Sequence, residues 1–151
     1  MNKQPKQPRI VRRGESEVLP VTGAEVRLLC EGDVTDQAWS LSECTAPENS
    51  GPPPHNHPWD EAYYILDGEV RFTLGDQNVV AKGGDFVYVP AGTVHAFQGA
   101  SAQPARILFF DAPAHAGGFF RDVAKEVTDF PRDAHKMVEI GARHGIEFMR
   151  G

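Results

Sequence analysis

Cysteine, long apolar runs and positive charge are all scarce in this chain, and each scarcity removes a class of protein. Only Cys30 and Cys44 occur, too few for a disulfide framework and without the Cys-x-x-Cys spacing of a zinc or redox site. Both are expected to be reduced thiols in or near the core. No apolar stretch approaches the roughly 20 residues that span a bilayer, which argues against a membrane partner. Met1 to Pro8 is rich in Lys, Gln and Pro with no apolar segment behind it. It lacks the middle region of a secretory signal, which predicts a cytoplasmic address. Lys and Arg number 15 against 21 Asp and Glu, a formal charge of −6. A nucleic-acid binder needs a basic face to release counterions, so a small-molecule partner is favoured over nucleic acid.

Glycine and proline, by contrast, are plentiful, with 15 Gly and 12 Pro in 151 residues. That much turn chemistry breaks up long helices. Between the turns lie short β-prone runs: Val26 to Cys30, Ala38 to Thr45, Glu61 to Leu66, Val70 to Leu74, Asn78 to Ala81, Phe86 to Val89, Val94 to Gln98 and Arg106 to Phe110. Asp67-Gly68, Gly75-Asp76 and Gly83-Gly84 supply the positive φ of hairpin turns. From Glu69 to Leu74 polar and apolar residues alternate, so Val70, Phe72 and Leu74 face inward and Glu69, Arg71 and Thr73 outward. Evenly spaced short strands of this kind predict one antiparallel sandwich or barrel rather than βαβ units. After Asp111 the texture becomes helical over Gly117 to Glu126 and Arg132 to His144. In the second stretch Ala134, Met137, Val138 and Gly141 make an i, i+3, i+4, i+7 stripe, with Gly145 placed for a left-handed C-cap. The chain therefore reads as a tail with a lead-in strand (1–24), a barrel domain (25–112) and a helical extension packed on the barrel or on a partner (113–151).

Chemistry concentrates in the segment from Gly51 to Glu61. His55 and His57 are two residues apart, and in extended chain such residues point to one face. Pro58-Trp59 can bend the chain so that Glu61 re-enters the same cavity, and His95, just after the Pro90–Gly92 turn, can close the site from across the barrel. Three imidazoles and one carboxylate suit a single divalent transition metal (Fe, Mn, Ni, Co, Cu or Zn), whereas Mg and Ca prefer all-oxygen shells.

These residues resemble both signature motifs of the cupin superfamily. His55, His57, Glu61 and Gly68 match the first, His-x-His, three residues, Glu, six residues, Gly. Gly84, Pro90, Gly92 and His95 match the second, Gly, five residues, Pro, one residue, Gly, two residues, His. The Gly that usually opens the first motif, five residues separating it from the first His, is replaced by Gly51, separated from His55 by three, and Gly99 stands where the second often ends in Asn. Neither departure touches a ligand. The resemblance covers about residues 25 to 112. It implies an all-β fold, a conical double-stranded β-helix (a cupin or jelly-roll barrel), here followed by one or two short C-terminal helices. It also implies one metal per domain, a ligand cavity at the wide mouth and frequently a homodimer. The C-terminal segment further resembles the tail of some small quercetin-dioxygenase-like cupins.

The resulting expectation is a metal-dependent cupin using O₂ as a dioxygenase on a small phenolic, enol or diketone-type substrate. His55, His57, Glu61 and His95 are the expected metal ligands, and Glu61 is also the candidate catalytic base. Trp59, Tyr63 and Phe97 are expected to line the substrate pocket, the last two because they share strand parity with Glu61 and His95. The competing readings are a metal-assisted isomerase or hydrolase, in which the ion acts only as a Lewis acid, and a non-catalytic ligand-binding cupin. His115, His135 and His144 fall outside both motifs and are expected to be surface histidines.

Overall fold

A computed structural model describes residues 6–149. Ten strands precede the first helix: β1 (Val18–Val21), β2 (Ala24–Cys30), β3 (Ser40–Ala46), β4 (His55–Asn56), β5 (Asp60–Asp67), β6 (Glu69–Leu74), β7 (Gln77–Lys82), β8 (Phe86–Val89), β9 (His95–Gly99) and β10 (Ala105–Ala112). Then follow α1 (Ala116–Glu126), a 3₁₀ turn (Arg132–Lys136), α2 (Met137–Arg143) and β11 (Glu147–Phe148). A six-stranded sheet, β1-β2-β3-β10-β5-β8, faces a five-stranded sheet, β11-β4-β9-β6-β7. Every ladder between these strands is antiparallel. This is the double-stranded β-helix that the motifs imply.

The alternating strand patterns dictate the core. Val70 and Phe72 point in from β6, Tyr63 and Ile65 from β5, Ile107 and Phe109 from β10, all buried between the sheets. Gly68 turns β5 into β6 at φ 78. A Cβ there would sit 2.8 Å from the Ala105 Cα, so sterics and backbone angle both demand glycine.

The helix α1 begins without a capping side chain from its own N-cap residue. The buried Asp111, at the end of β10, takes that part: its Oδ2 accepts from the backbone N–H groups of His115 (2.8 Å) and Ala116 (3.0 Å). Two of the helix's orphan donors are thereby satisfied from the barrel.

The tail differs from the sequence pattern in two ways. The expected single helix over Arg132 to His144 opens with a 3₁₀ turn. Three residues per turn, instead of 3.6, shift the phase of the stripe: Met137, Ile140 and Gly141 are buried, and Val138 is exposed. Gly145 then ends α2 in the left-handed region, φ 76, as expected. Beyond it the chain forms β11, a strand absent from the helical reading, which pairs with β4 through Glu147–Asn56 and Phe148–His55. No helix of the described residues is long and apolar enough to cross a membrane.

Candidate metal centre

The two motif segments are stitched together before any side chain is considered. His55 of β4 stands opposite His95 of β9 in the ladder. The Gly92 N–H donates to the His57 carbonyl (2.8 Å), and Asp60 Oδ1 accepts from the Ala91 N–H (2.9 Å). Gly51, leading into the three prolines, crosses so close to β9 that a Cβ would lie 1.9 Å from the Phe97 carbonyl oxygen. Only glycine fits there.

His55, His57 and His95 are all buried, and their ligating nitrogens lie within 4.8 Å of one another. Each ring is oriented by its own neighbourhood. The Nδ1 atoms of His55, His57 and His95 meet the backbone carbonyls of Pro53 (2.8 Å), Trp59 (3.1 Å) and Thr93 (2.8 Å). A carbonyl can only accept, so each Nδ1 carries a proton and Nε2 is the nitrogen left to the site. Burial, with His95 adding to it, lowers the His55 pKa to about 4, which keeps this ring neutral and ready to ligate at pH 7.

Glu61 faces this cluster from β5. Its Oε1 lies 3.0 Å from His57 Nε2, and its Oε2 lies 3.2 Å from His95 Nε2. The Tyr63 hydroxyl donates to Oε2. Burial alone would raise the Glu61 pKa, but the facing imidazoles of His57 and His95 outweigh it and hold the carboxyl below the usual carboxylate range. His57 Nε2 is out of line for a hydrogen bond to Oε1 and has no other partner among the described residues. Buried lone pairs aimed at a carboxylate at this range repel unless positive charge lies between them. Protons can supply that charge, and so can a divalent ion. The donor set fits an N/O-ligated transition metal, and the three histidines can hold one.

Beside the cluster is a cavity of about 80 Å³, well above the roughly 10–15 Å³ that admits one water. His55, His57 and Glu61 line it, and so do the three expected pocket residues, Trp59, Tyr63 and Phe97. Tyr63 packs edge-on against Phe72 and Phe97, with ring centroids 5.2 and 5.5 Å apart. Burial, then the neighbouring Glu61, push the Tyr63 hydroxyl well above its ordinary pKa, so it remains a donor.

Sequence reasoning missed the residues that complete this chamber. Asp111 lines it and accepts from the Ser40 hydroxyl. Burial raises its pKa, and the bonds from Ser40 and His115 offset part of that rise. Strand alternation carried the signal: Ala105, Ile107, Phe109 and Asp111 occupy one face of β10, so an acid ends an otherwise apolar inward row. Phe119, Phe120, Met137, Ile146 and Phe148, all from the tail, close the mouth. No local pattern announced them, because their role depends on where the tail docks. Of the expected surface histidines, His115 is exposed as expected and His144 is half-buried, and both have partners. His115 stacks on Trp59 at 3.9 Å, and His144 Nε2 lies 2.6 Å from Asp122 Oδ2, joining α2 to α1. His135 is exposed, as expected.

Comparison with known proteins fits this architecture. The family described as "Cupin domain" matches residues 42–111. An uncharacterized protein of Methanocaldococcus jannaschii is 33% identical over 78 residues, which span 51% of this chain and 62% of that protein. Quercetin 2,3-dioxygenase of Bacillus subtilis is 28% identical over 93 residues, 60% of this chain and 27% of the enzyme. The chain thus spans less than two thirds of either relative. Among solved structures, the polyketide cyclase RemF of Streptomyces resistomycificus superposes with a TM-score of 0.62 at 22% identity, over 70% of this chain and 80% of that one, a likeness of fold. Two motifs in order, a two-sheet barrel and a buried histidine cluster agree with these matches: the barrel of this chain is a cupin domain.

Proposed function

We propose that this cupin binds one divalent transition metal through His55, His57 and His95, with Glu61 as fourth ligand, and serves as a dioxygenase for a small phenolic, enol or diketone-type substrate. The observation that carries the reading is the convergence of three pre-oriented Nε2 atoms facing one carboxylate, with His55, His57 and Glu61 of this group lining an aromatic-walled chamber. Such a metal, when bound, supplies redox chemistry with O₂ and a Lewis acid for a substrate oxygen. The protein supplies the rest. Tyr63 steers the Glu61 carboxylate, Glu61 accepts the proton of a bound phenol or enol, and Phe97 with the tail residues keeps bulk water out. The distant quercetin dioxygenase relative supports the oxygenase class.

Metal analysis of protein purified without added metal, followed by O₂ uptake with flavonol and diketone substrates, tests this. Bound iron, manganese, nickel, cobalt or copper with substrate-dependent O₂ consumption is expected. Stoichiometric zinc without O₂ uptake transfers the site to metal-assisted isomerisation or hydrolysis. The Tyr63–Glu61 hydrogen bond beside the chamber favours that second reading, since a fixed hydroxyl donor and a carboxylate acceptor suit chemistry that needs no O₂. Absence of metal after reconstitution overturns both.

The partner we infer for the outer face is a second copy of the chain. β8 is the free edge of the six-stranded sheet. Phe86 and Tyr88 stand exposed on it next to Tyr64 of β5, with Phe110 of β10 beyond. An exposed apolar edge of this kind invites pairing.

A further inference from the structure

Trp59 holds a polar atom that the site described so far does not use. Its indole Nε1 is buried and has no hydrogen-bond partner among the described residues. The ring itself is fully constrained. His57 covers one side of the stack at 4.2 Å with an interplanar angle of 8°, and His115 stacks at 3.9 Å with an angle of 3°. The far end of the six-membered ring abuts Gly145, where a Cβ would lie 3.3 Å from Cζ3. Both faces and the distal edge are thus occupied by protein. What remains is the pyrrole edge, which carries the N–H, and Trp59 lines the chamber. Buried indole N–H groups ordinarily find an acceptor, because leaving one unpaired forfeits its hydration with no return.

We propose that Trp59 is a substrate-binding donor, its indole N–H bonding to an oxygen of a small, largely apolar ring seated beside His57. This rests on the reading of the chamber as a substrate pocket and narrows the ligand class. The substrate carries an acceptor oxygen, such as a carbonyl, phenol or carboxylate oxygen, on the side turned to Trp59. An unsubstituted hydrocarbon of the same shape would leave the N–H unpaired, so the residue selects oxygenated rings over their hydrocarbon counterparts. Its stacking between His57 and His115 gives that donor a fixed direction, as a selective contact requires.

Zinc-loaded full-length protein, redox-silent and diamagnetic, permits the test under anaerobic conditions with catechol and benzene as probes. The indole N–H resonance of Trp59 is assigned by its disappearance in Trp59→Phe, Trp39 being the other tryptophan. Catechol is expected to move that resonance downfield and benzene to leave its hydrogen-bonding shift unchanged. Trp59→Phe is expected to weaken catechol about tenfold, the value of one hydrogen bond, without weakening benzene. Catechol binding without an indole shift, equal loss for both probes in the variant, or failure of catechol to bind overturns the proposal. Should Trp59→Phe not fold, Trp39→Phe assigns the resonance by elimination and the wild-type shift alone decides. The proposal and the dioxygenase reading fail separately: an indole shift with catechol but no O₂ uptake by the iron-loaded protein removes only the latter. Turnover without an indole shift removes only the former.

Discussion

The two sheets orient their site residues in different ways. His55 and His95 belong to the five-stranded sheet and His57 follows it directly, and each ring is pinned by a backbone carbonyl two residues away. Glu61 belongs to the six-stranded sheet, and among the described residues its carboxylate's polar partners are side chains, Tyr63, His57 and His95. The imidazoles are therefore fixed by local chain geometry, while the carboxylate is fixed by what surrounds it. On the proposed function, a ligand set divided in this way would have a rigid part that defines the ion's position and an adjustable part that can move as substrate arrives.

The contrast can be broken most severely at a pinned ring. His95→Ala removes a proposed ligand, and metal content after dialysis is expected to fall to background in the variant while the wild type retains one equivalent. Retention of a full equivalent would show that the pinned rings are not the frame of the site. On the adjustable side, Tyr63→Phe leaves the four donors in place and frees the carboxylate. Metal affinity measured by competition with a chromogenic chelator should drop about tenfold, the lower range for loss of an outer-sphere partner. An unchanged affinity would mean that Glu61 needs no steering.

Acid provides a third, smaller perturbation. His55 titrates near 6.5 when unfolded but near 4 when buried, so below 6.5 the unfolded chain binds a proton that the folded one refuses. Metal-free stability should thus be level above about pH 6.5 and decline as the pH falls from 6.5 towards 4, with His95, Glu61 and His57 as the charged or titratable groups facing the ring. Thermal melts across that range check this, and His55→Gln should flatten the slope. The mildest intervention lies away from the site: Tyr88→Arg on the exposed edge should convert the inferred dimer to a monomer in light scattering and leave metal content unchanged.

The pinned half of the site was the half legible in sequence. His55 and His57 follow from two-residue parity and His95 from its Pro-Gly turn, because local geometry sets all three. Glu61 came from its spacing after a bend, but its partnership with Tyr63 was visible only as shared parity. The eight β-prone runs all lie within or across observed strands. β4 and β11, two residues each, are too short for any alternation to register. The tail's inward residues escaped notice for a different reason. Whether Phe148 faces solvent or His55 depends on a strand pairing that joins distant segments, and in α2 the 3₁₀ start moved Ile140 inward and Val138 outward.

The pairing of β11 with β4 also bears on the order in which the protein is made. A ribosome delivers β1 to β10, with every proposed ligand, before it delivers Ile146 and Phe148, which close the chamber. A nascent chain that has already folded its barrel thus holds its histidines behind an open mouth for the time taken to synthesise the tail. During that interval an ion can reach them without any part of the finished structure having to open.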